Sequence, residues 1–151
     1  MGLRPLTIYR VGRDQGMTST PTKAMAAAVL GLDYRITFGG STLFQYARDA
    51  ARTFLMASRA DAHGAIVANL GGAAVHMRDV VAAIEAEAPE ARGRITFEEQ
   101  PLPFPDDIDA SGLDALGQAP LTPFADGVRD TIGRFRDLAA RGLLTPSEAG
   151  I

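Results

Sequence analysis

The chain opens with a strand-like segment, residues 3–9, and a polar loop over residues 10–20 follows it directly. Branched and aromatic residues in the first segment favour an extended strand. The loop has no hydrophobic periodicity and contains two glycines, which mark a break in regular structure. Beyond it, short extended segments alternate with amphipathic ones, and this alternation predicts an α/β fold.

Hydrophobic periodicity places four helices and four further strands along the chain. The predicted helices span residues 21–30, about 49–60, 75–88 and 123–141. The predicted further strands span residues 34–38, 42–46, 65–70 and 94–97. Residues 98–109 combine prolines with acidic residues and are expected to be an irregular connector.

Helix boundaries are marked by specific residues. We expect Ser19 or Thr20 to cap the first helix, and Gly31 to end it. Thr122 is expected to cap the last helix, with Pro123 at its first position. The second helix carries an apolar set at helical spacing, namely Ala50, Ala51, Phe54, Leu55 and Ala57. The strand at residues 65–70 is expected to be buried.

Length and composition indicate one domain of 151 residues, large enough to bury roughly 70% of the unfolded chain's surface. We expect residues 1–142 to form it and residues 143–151 to be a flexible tail. The net charge of −3 and scattered cations argue against a nucleic-acid partner. The longest apolar run, residues 24–30, is too short to span a membrane. The absence of cysteine excludes thiolate chemistry and fits a cytoplasmic location.

The polar loop over residues 10–20 is the first candidate for ligand binding. It follows the carboxyl end of a strand, where open α/β sheets bind their ligands. Arg13, Gln15 and Thr18 offer a guanidinium, an amide and a hydroxyl group. These groups suit a small polar substrate such as a sugar or a hydroxy acid. An ordinary polar surface loop is the alternative interpretation.

Residues 3–9 read Leu-Arg-Pro-Leu-Thr-Ile-Tyr, and further motifs lie at residues 39–49, 69–80 and 121–132. In this order they resemble the NAD-dependent epimerases and dehydratases, the extended short-chain dehydrogenases, whose strand reads Leu-Arg-Pro-Phe-Asn-Val-Tyr. The resemblance implies the carboxyl-terminal, substrate-binding portion of such an enzyme. The fold would then contain the last strands of a Rossmann-type parallel sheet, small peripheral strands and about four helices, without the amino-terminal cofactor half.

The same resemblance implies roles for individual residues. Leu6 would lie beside the nicotinamide, and Thr7 would stand where an asparagine of the family meets the substrate. Thr42 occupies the position of a phosphate-binding arginine, which argues against a nucleoside-diphosphate sugar because a hydroxyl cannot replace a charged bidentate clamp. Gln45 suggests a neutral polar contact with the substrate instead. Arg10 replaces a glycine, so it would strain the loop if that turn is needed.

Two elements of dehydrogenase chemistry have no counterpart in the sequence. No glycine-rich loop follows a strand to hold a pyrophosphate. No Tyr-x-x-x-Lys pair occurs, since Lys23 is the one lysine in the sequence. The resemblance implies NAD(P) for a whole relative, but we expect this chain alone to bind no cofactor and to have no catalytic residue. His63 and His76 lack ligand spacing, so no metal site is predicted.

Three hypotheses therefore remain open. The chain is an enzyme portion that completes its site with an amino-terminal half on another polypeptide; it is a stand-alone module for a small ligand; or it is a truncated product without independent function. A parallel sheet without its neighbouring strands leaves an apolar edge exposed. That edge favours self-association or partial unfolding, and so the third hypothesis or the first.

Overall fold

The structure is a computed structural model that describes residues 1–61, 63–105, 107–117 and 121–151. The strands are β1 (Gly2–Arg4), β2 (Thr7–Tyr9), β3 (Tyr34–Ile36), β4 (Ser41–Tyr46), β5 (Val67–Asn69), β6 (Ala73–His76) and β7 (Ile95–Phe97). The helices are α1 (Thr20–Leu30), α2 (Ala47–Arg59), α3 (Met77–Glu87) and α4 (Phe124–Ala140). Short 3₁₀ helices lie at Met17–Ser19, Pro89–Ala91 and Ser111–Leu116.

Three small sheets hold the described strands. β1 pairs with β5, and β3 pairs with β7, in both cases in parallel. The third sheet has the order β2-β4-β6, with β2 parallel and β6 antiparallel to the central strand. The four helices and the mainly parallel pairing of the strands confirm the predicted α/β class.

The first predicted strand is divided in the structure. Residues 3–9 form the separate strands β1 and β2, which belong to different sheets. The break falls at Pro5, which has no N–H to donate to a ladder. β6 was not predicted as a strand, because Val75 was assigned to the following helix; the helix begins only at Met77.

The first and last helices form the centre of the core. α1 ends at Gly31, which has a left-handed φ of 69° and donates its N–H to the carbonyls of Ala27 and Ala28. This confirms the predicted end of the helix. α4 buries Val128 and Ile132 against that core. The predicted span of α4 is confirmed to within one residue at each end.

The expected caps at the start of these two helices are wrong. Ser19 lies at the cap of α1 but donates its hydroxyl to the carbonyl of Gly16, 2.7 Å away. Thr20 is the first residue of the helix, and its hydroxyl lies 3.4 Å from that of Thr37. α4 has no side-chain cap either, and Thr122 contributes its backbone N–H to Asp49 at 2.7 Å.

Two segments with apolar patterns are more exposed than the pattern suggests. On α2, Ala50 is buried, but Phe54 and Leu55 are 47% and 55% exposed. The predicted buried strand at residues 65–70 is shorter, and Val67 within it is 53% exposed. The expectation of a buried strand is therefore wrong at its first residue. Among the described residues, β5 pairs only with β1, in a sheet of two strands.

Residues 143–151, expected to be flexible, have defined contacts. Leu144 and Ala149 are buried in the main core. The backbone N–H and hydroxyl of Thr145 both donate to Glu148, whose own N–H donates back to the Thr145 hydroxyl. This reciprocal pattern is a capping box. In the part of the chain that the structure describes, no helix is long and apolar enough to cross a membrane.

Candidate functional site

Leu6, Thr7 and Gln45 come together at the start of β2. Gln45 is 4% exposed; its side-chain oxygen accepts the N–H of Leu6 at 2.8 Å, and its amide nitrogen donates to the carbonyl of Leu70 at 2.6 Å. The side chain therefore ties the start of β2 to the end of β5. The oxygen and the nitrogen of the Gln45 side-chain amide, predicted to contact the substrate, thus both have hydrogen-bond partners within the protein.

Thr7 is fully buried beside this connection. Its hydroxyl oxygen lies 3.2 Å from that of Thr42, which is also buried. Parallel pairing of β2 and β4 places Thr7 opposite Phe44, so the two threonines lie on neighbouring strands. The two family positions that the sequence singled out for substrate contact thus form a neutral hydroxyl pair.

Arg13, Gln15 and Thr18 form a second group in the loop that follows β2. The Arg13 guanidinium donates to the backbone carbonyl of Gln15 and to the Thr18 hydroxyl, the latter at 3.0 Å. The Gln15 side chain itself is exposed. The loop is thus held by one arginine, and the guanidinium is placed before any ligand arrives.

The expected strain at Arg10 is absent. Among the described residues, positive φ values occur only at glycines, and Gly12 takes the left-handed turn with a φ of 89°. Arg10 instead lies with its guanidinium carbon 5.8 Å from the centre of the Tyr46 ring. Its Nε atom is 3.6 Å from a carboxylate oxygen of Asp130.

Asp130 is the centre of an ionic cluster that sequence reasoning missed. It accepts a short hydrogen bond from the Tyr46 hydroxyl and another from Arg134 at 2.8 Å. Burial alone would raise the pKa of the Asp130 carboxyl, but the hydrogen bonds from Arg134 and Tyr46 and the charges of Arg134 and Arg10 outweigh it and lower the pKa. Tyr46 and Asp130 are 84 residues apart, so no local pattern could have revealed the pair.

A cavity of about 220 Å³ adjoins Gln45, and we call it the aromatic cavity. Its aromatic walls are the rings of Tyr9, Phe44, Tyr46 and Phe124, with centres 5.0 to 5.8 Å apart in the contacting pairs. Asp49 contributes a buried carboxylate to the lining. Such a mixture of aromatic surface and a few polar groups is typical of small-ligand pockets.

Tyr9 is one of the buried rings of this wall. Burial first, then the charge that Tyr46 would carry when ionised, and then the negative charges of Asp49 and Asp126 raise the pKa of its hydroxyl well above the usual value. Burial also raises the pKa of Tyr46, as does the hydrogen bond to Asp130. Both phenols are therefore neutral near pH 7 and act as hydrogen-bond donors.

Within the described residues, no three His, Cys, Asp or Glu side chains are grouped to hold a metal ion.

Solved structures of similar fold cover most of this chain. They include a UDP-glucose 4-epimerase with UDP-glucose from Thermotoga maritima (18% identity, TM-score 0.74, 91% of this chain and 46% of that one). A UDP-glucuronic acid 4-epimerase from Bacillus cereus, in complex with UDP-glucuronic acid and NAD, matches with 19% identity and a TM-score of 0.73 over 90% and 45% of the chains. A partial-consensus L-threonine 3-dehydrogenase matches with 20% identity and a TM-score of 0.71 over 95% and 48%.

These similarities establish the fold, and the chain spans less than half the length of each of these structures. No protein-family model matches the sequence, and no curated protein matches it. The α/β arrangement is thus that of part of a Rossmann-like epimerase or dehydrogenase chain.

Proposed function

We propose that this chain is the substrate-binding portion of an NAD(P)-dependent oxidoreductase of the epimerase/dehydratase type. The main support for this proposal is the fold, which matches NAD-bound and sugar-nucleotide-bound epimerases over about nine-tenths of this chain. The proposed substrate is a small sugar-like or hydroxy-acid molecule. Turnover requires a cofactor-binding portion outside these 151 residues, because they contain no pyrophosphate loop and no Tyr-x-x-x-Lys pair.

The geometry at Leu6 supports a limited cofactor contact. Its N–H is already donated to Gln45, so Leu6 has only its half-buried side chain and carbonyl left to meet a nicotinamide. These two groups are enough for a contact with one edge of the nicotinamide ring, but they are too few to bind a whole dinucleotide. NAD(P), when bound by the completed enzyme, would accept or donate the hydride.

The buried Thr7–Thr42 pair supports an uncharged or weakly charged substrate group at this point. An arginine at either position would bring a charge next to the start of β2, whereas two hydroxyls bring none. The L-threonine 3-dehydrogenase of similar fold is consistent with substrates smaller than a sugar nucleotide. Gln45, which lines the aromatic cavity, and Thr7, which is buried and paired with Thr42, are therefore proposed to shape the neutral side of the substrate site from within the fold. Arg13, Gln15 and Thr18 are proposed to meet the polar or anionic end of the substrate.

Isothermal titration calorimetry with NAD⁺ and NADH, and NMR titration with UDP-glucose and with L-lactate, a hydroxy acid that lacks an ammonium group, test this assignment on the purified chain. We expect no saturable binding of either dinucleotide and weak, saturable binding of one substrate-type probe. Arg13→Ala should weaken that binding about tenfold, the loss expected for one charge-assisted hydrogen bond. Tight NAD⁺ binding, or turnover by the isolated chain, contradicts the proposal.

The matched control is Arg35→Ala, which removes an exposed arginine that pairs with Glu98 at 2.9 Å. It should leave the affinity unchanged. Equal losses in the two variants would show that general charge, and not the loop after β2, attracts the ligand. In that case a stand-alone module using Arg13, Gln15 and Thr18 is excluded as well.

A further inference from the structure

A second cavity, of about 150 Å³, opens beside the loop that follows β2. It is enclosed by that loop, the first half of α1, the end of α4 and the segment 143–151, and we call it the lysine cavity. Phe135, Leu138 and Leu144 line its apolar part. Leu6, Thr7 and Gln45 do not line it, so it is separate from the start of β2, but it shares Arg13 with the loop proposed to bind the substrate.

Thr22 supplies an unusual feature of this cavity. Its side chain is 2% exposed, and its hydroxyl oxygen has no hydrogen-bond partner among the described residues. A threonine hydroxyl within a helix commonly bonds to the backbone one turn earlier. Leaving such a group buried and unpaired destabilises the folded protein. A ligand in the cavity would provide the missing partner.

The charges around the cavity balance. Lys23 and Arg13 contribute two positive charges, and Asp14 and Glu148 contribute two negative ones. Lys23 donates to the carbonyl of Gly150 at 2.7 Å, which leaves two of its three N–H donors for another partner. A ligand with a single charge would meet as much repulsion as attraction here, whereas a zwitterion would satisfy both signs.

We propose that the lysine cavity binds a small α-amino acid with a short apolar side chain. Its carboxylate would accept hydrogen bonds from Thr22 and Lys23, its ammonium group would face Asp14 or Glu148, and its side chain would lie against Phe135. The site involves no chemical step and does not depend on whether the chain completes a dehydrogenase.

L-valine is the probe, and the single lysine of the chain makes the readout specific. In a chain labelled with [¹³C]lysine, the one Cε resonance should move saturably as L-valine is added. Isobutyrate, which lacks the ammonium group, and isobutylamine, which lacks the carboxylate, should each bind at least about tenfold more weakly. Equal shifts from all three compounds, or no saturable shift with L-valine, overturn the proposal without any variant.

Thr22→Val tests the hydroxyl directly. It should weaken L-valine binding about tenfold, because it removes one hydrogen bond to a charged group, while Thr22→Ser should retain the wild-type affinity. Thr20→Val on the same helix is the control, because the Thr20 hydroxyl faces Thr37 and not the cavity. Wild-type affinity in Thr22→Val also overturns the proposal.

Discussion

Gly127 lies inside α4, at the closest approach of that helix to Tyr9. A methyl group at this position would overlap the Tyr9 hydroxyl and lie 2.8 Å from the ring carbon that carries it. Glycine is ordinarily about 0.5–1 kcal/mol worse than alanine within a helix. Here the steric overlap outweighs that preference, and it explains why glycine and not a stronger helix former occupies position 127 of α4.

We therefore expect Gly127→Ala to destabilise the protein by about 1–3 kcal/mol, the usual cost of overpacking a core. Gly133→Ala on the same helix should instead stabilise it by about 0.5–1 kcal/mol, because nothing lies within 4 Å of the added methyl group. Urea denaturation of both variants measures the difference. Tyr9→Phe should recover part of the loss in Gly127→Ala, and additive effects would contradict the contact.

Gln45 acts through two backbone groups at once. In Gln45→Leu the N–H of Leu6 and the carbonyl of Leu70 lose their partners. Each buried backbone group left without a hydrogen bond lowers the free energy of unfolding by about 1–3 kcal/mol. We therefore expect a larger loss of stability than for a typical surface substitution. Gln100→Leu, at an exposed glutamine, is the control. Similar urea midpoints for the two variants would contradict the role of Gln45 in the fold.

The sequence singled out Gln45 but not its bonding partners. Leu6 and Leu70 lie 39 and 25 residues away along the chain, so only the assembled strands bring them together. The same holds for Asp130 and Tyr46. Residue type and local pattern can nominate a polar group, whereas tertiary pairing determines whether it faces a ligand or the protein.

At the scale of helices and strands, a local sequence signal predicts an element's end best when the residue type itself restricts or permits the backbone conformation found there. Gly31 ends α1 because it adopts the left-handed conformation. Pro123, predicted as the first residue of the last helix, instead lies at the N-cap of α4 with a non-helical ψ of 140°. The pattern failed for α2, where apolar spacing did not reveal that Phe54 and Leu55 are exposed. Spacing reports which residues share a face, and only the neighbouring elements decide whether that face is covered.

The capping box at residues 145–148 gives a prediction about the carboxyl-terminal segment. Thr145→Ala removes the reciprocal bonds with Glu148 and should weaken this turn by about 1 kcal/mol. Hydrogen exchange of the amides at residues 149–151 should then become about fivefold faster, the ratio corresponding to that energy. Ser147→Ala, which alters no side-chain contact of the capping box, should leave exchange unchanged. Equally fast exchange in the wild-type protein would support a flexible tail instead.

For the whole molecule, the ion pairs of Asp130 limit stability at acidic pH, and the buried tyrosines limit it at alkaline pH. The pKa of Asp130 is lowered in the folded chain, so its contribution is present above the unfolded value of about 3.9 and is lost as the pH falls through the folded pKa. The pKa values of Tyr9 and Tyr46 are raised, so their contribution is present below about pH 10 and is lost as the pH rises through the folded values. Stability is thus expected to fall at both extremes.

The alkaline limit is the sharper test, because Tyr9 keeps its proton in the aromatic core while the same phenol ionises in the unfolded chain. Between about pH 10 and 11.5, the urea midpoint of the wild-type protein should fall steeply. Tyr9→Phe has no phenol to ionise, so its midpoint should fall less over the same range, even if it begins lower at pH 8. Tyr34→Phe is the comparison: burial also raises the pKa of Tyr34, but this tyrosine is less buried and has no further cause of the shift. Circular dichroism at each pH measures the midpoints, and parallel alkaline losses in wild type and Tyr9→Phe would contradict the assignment of this transition to Tyr9.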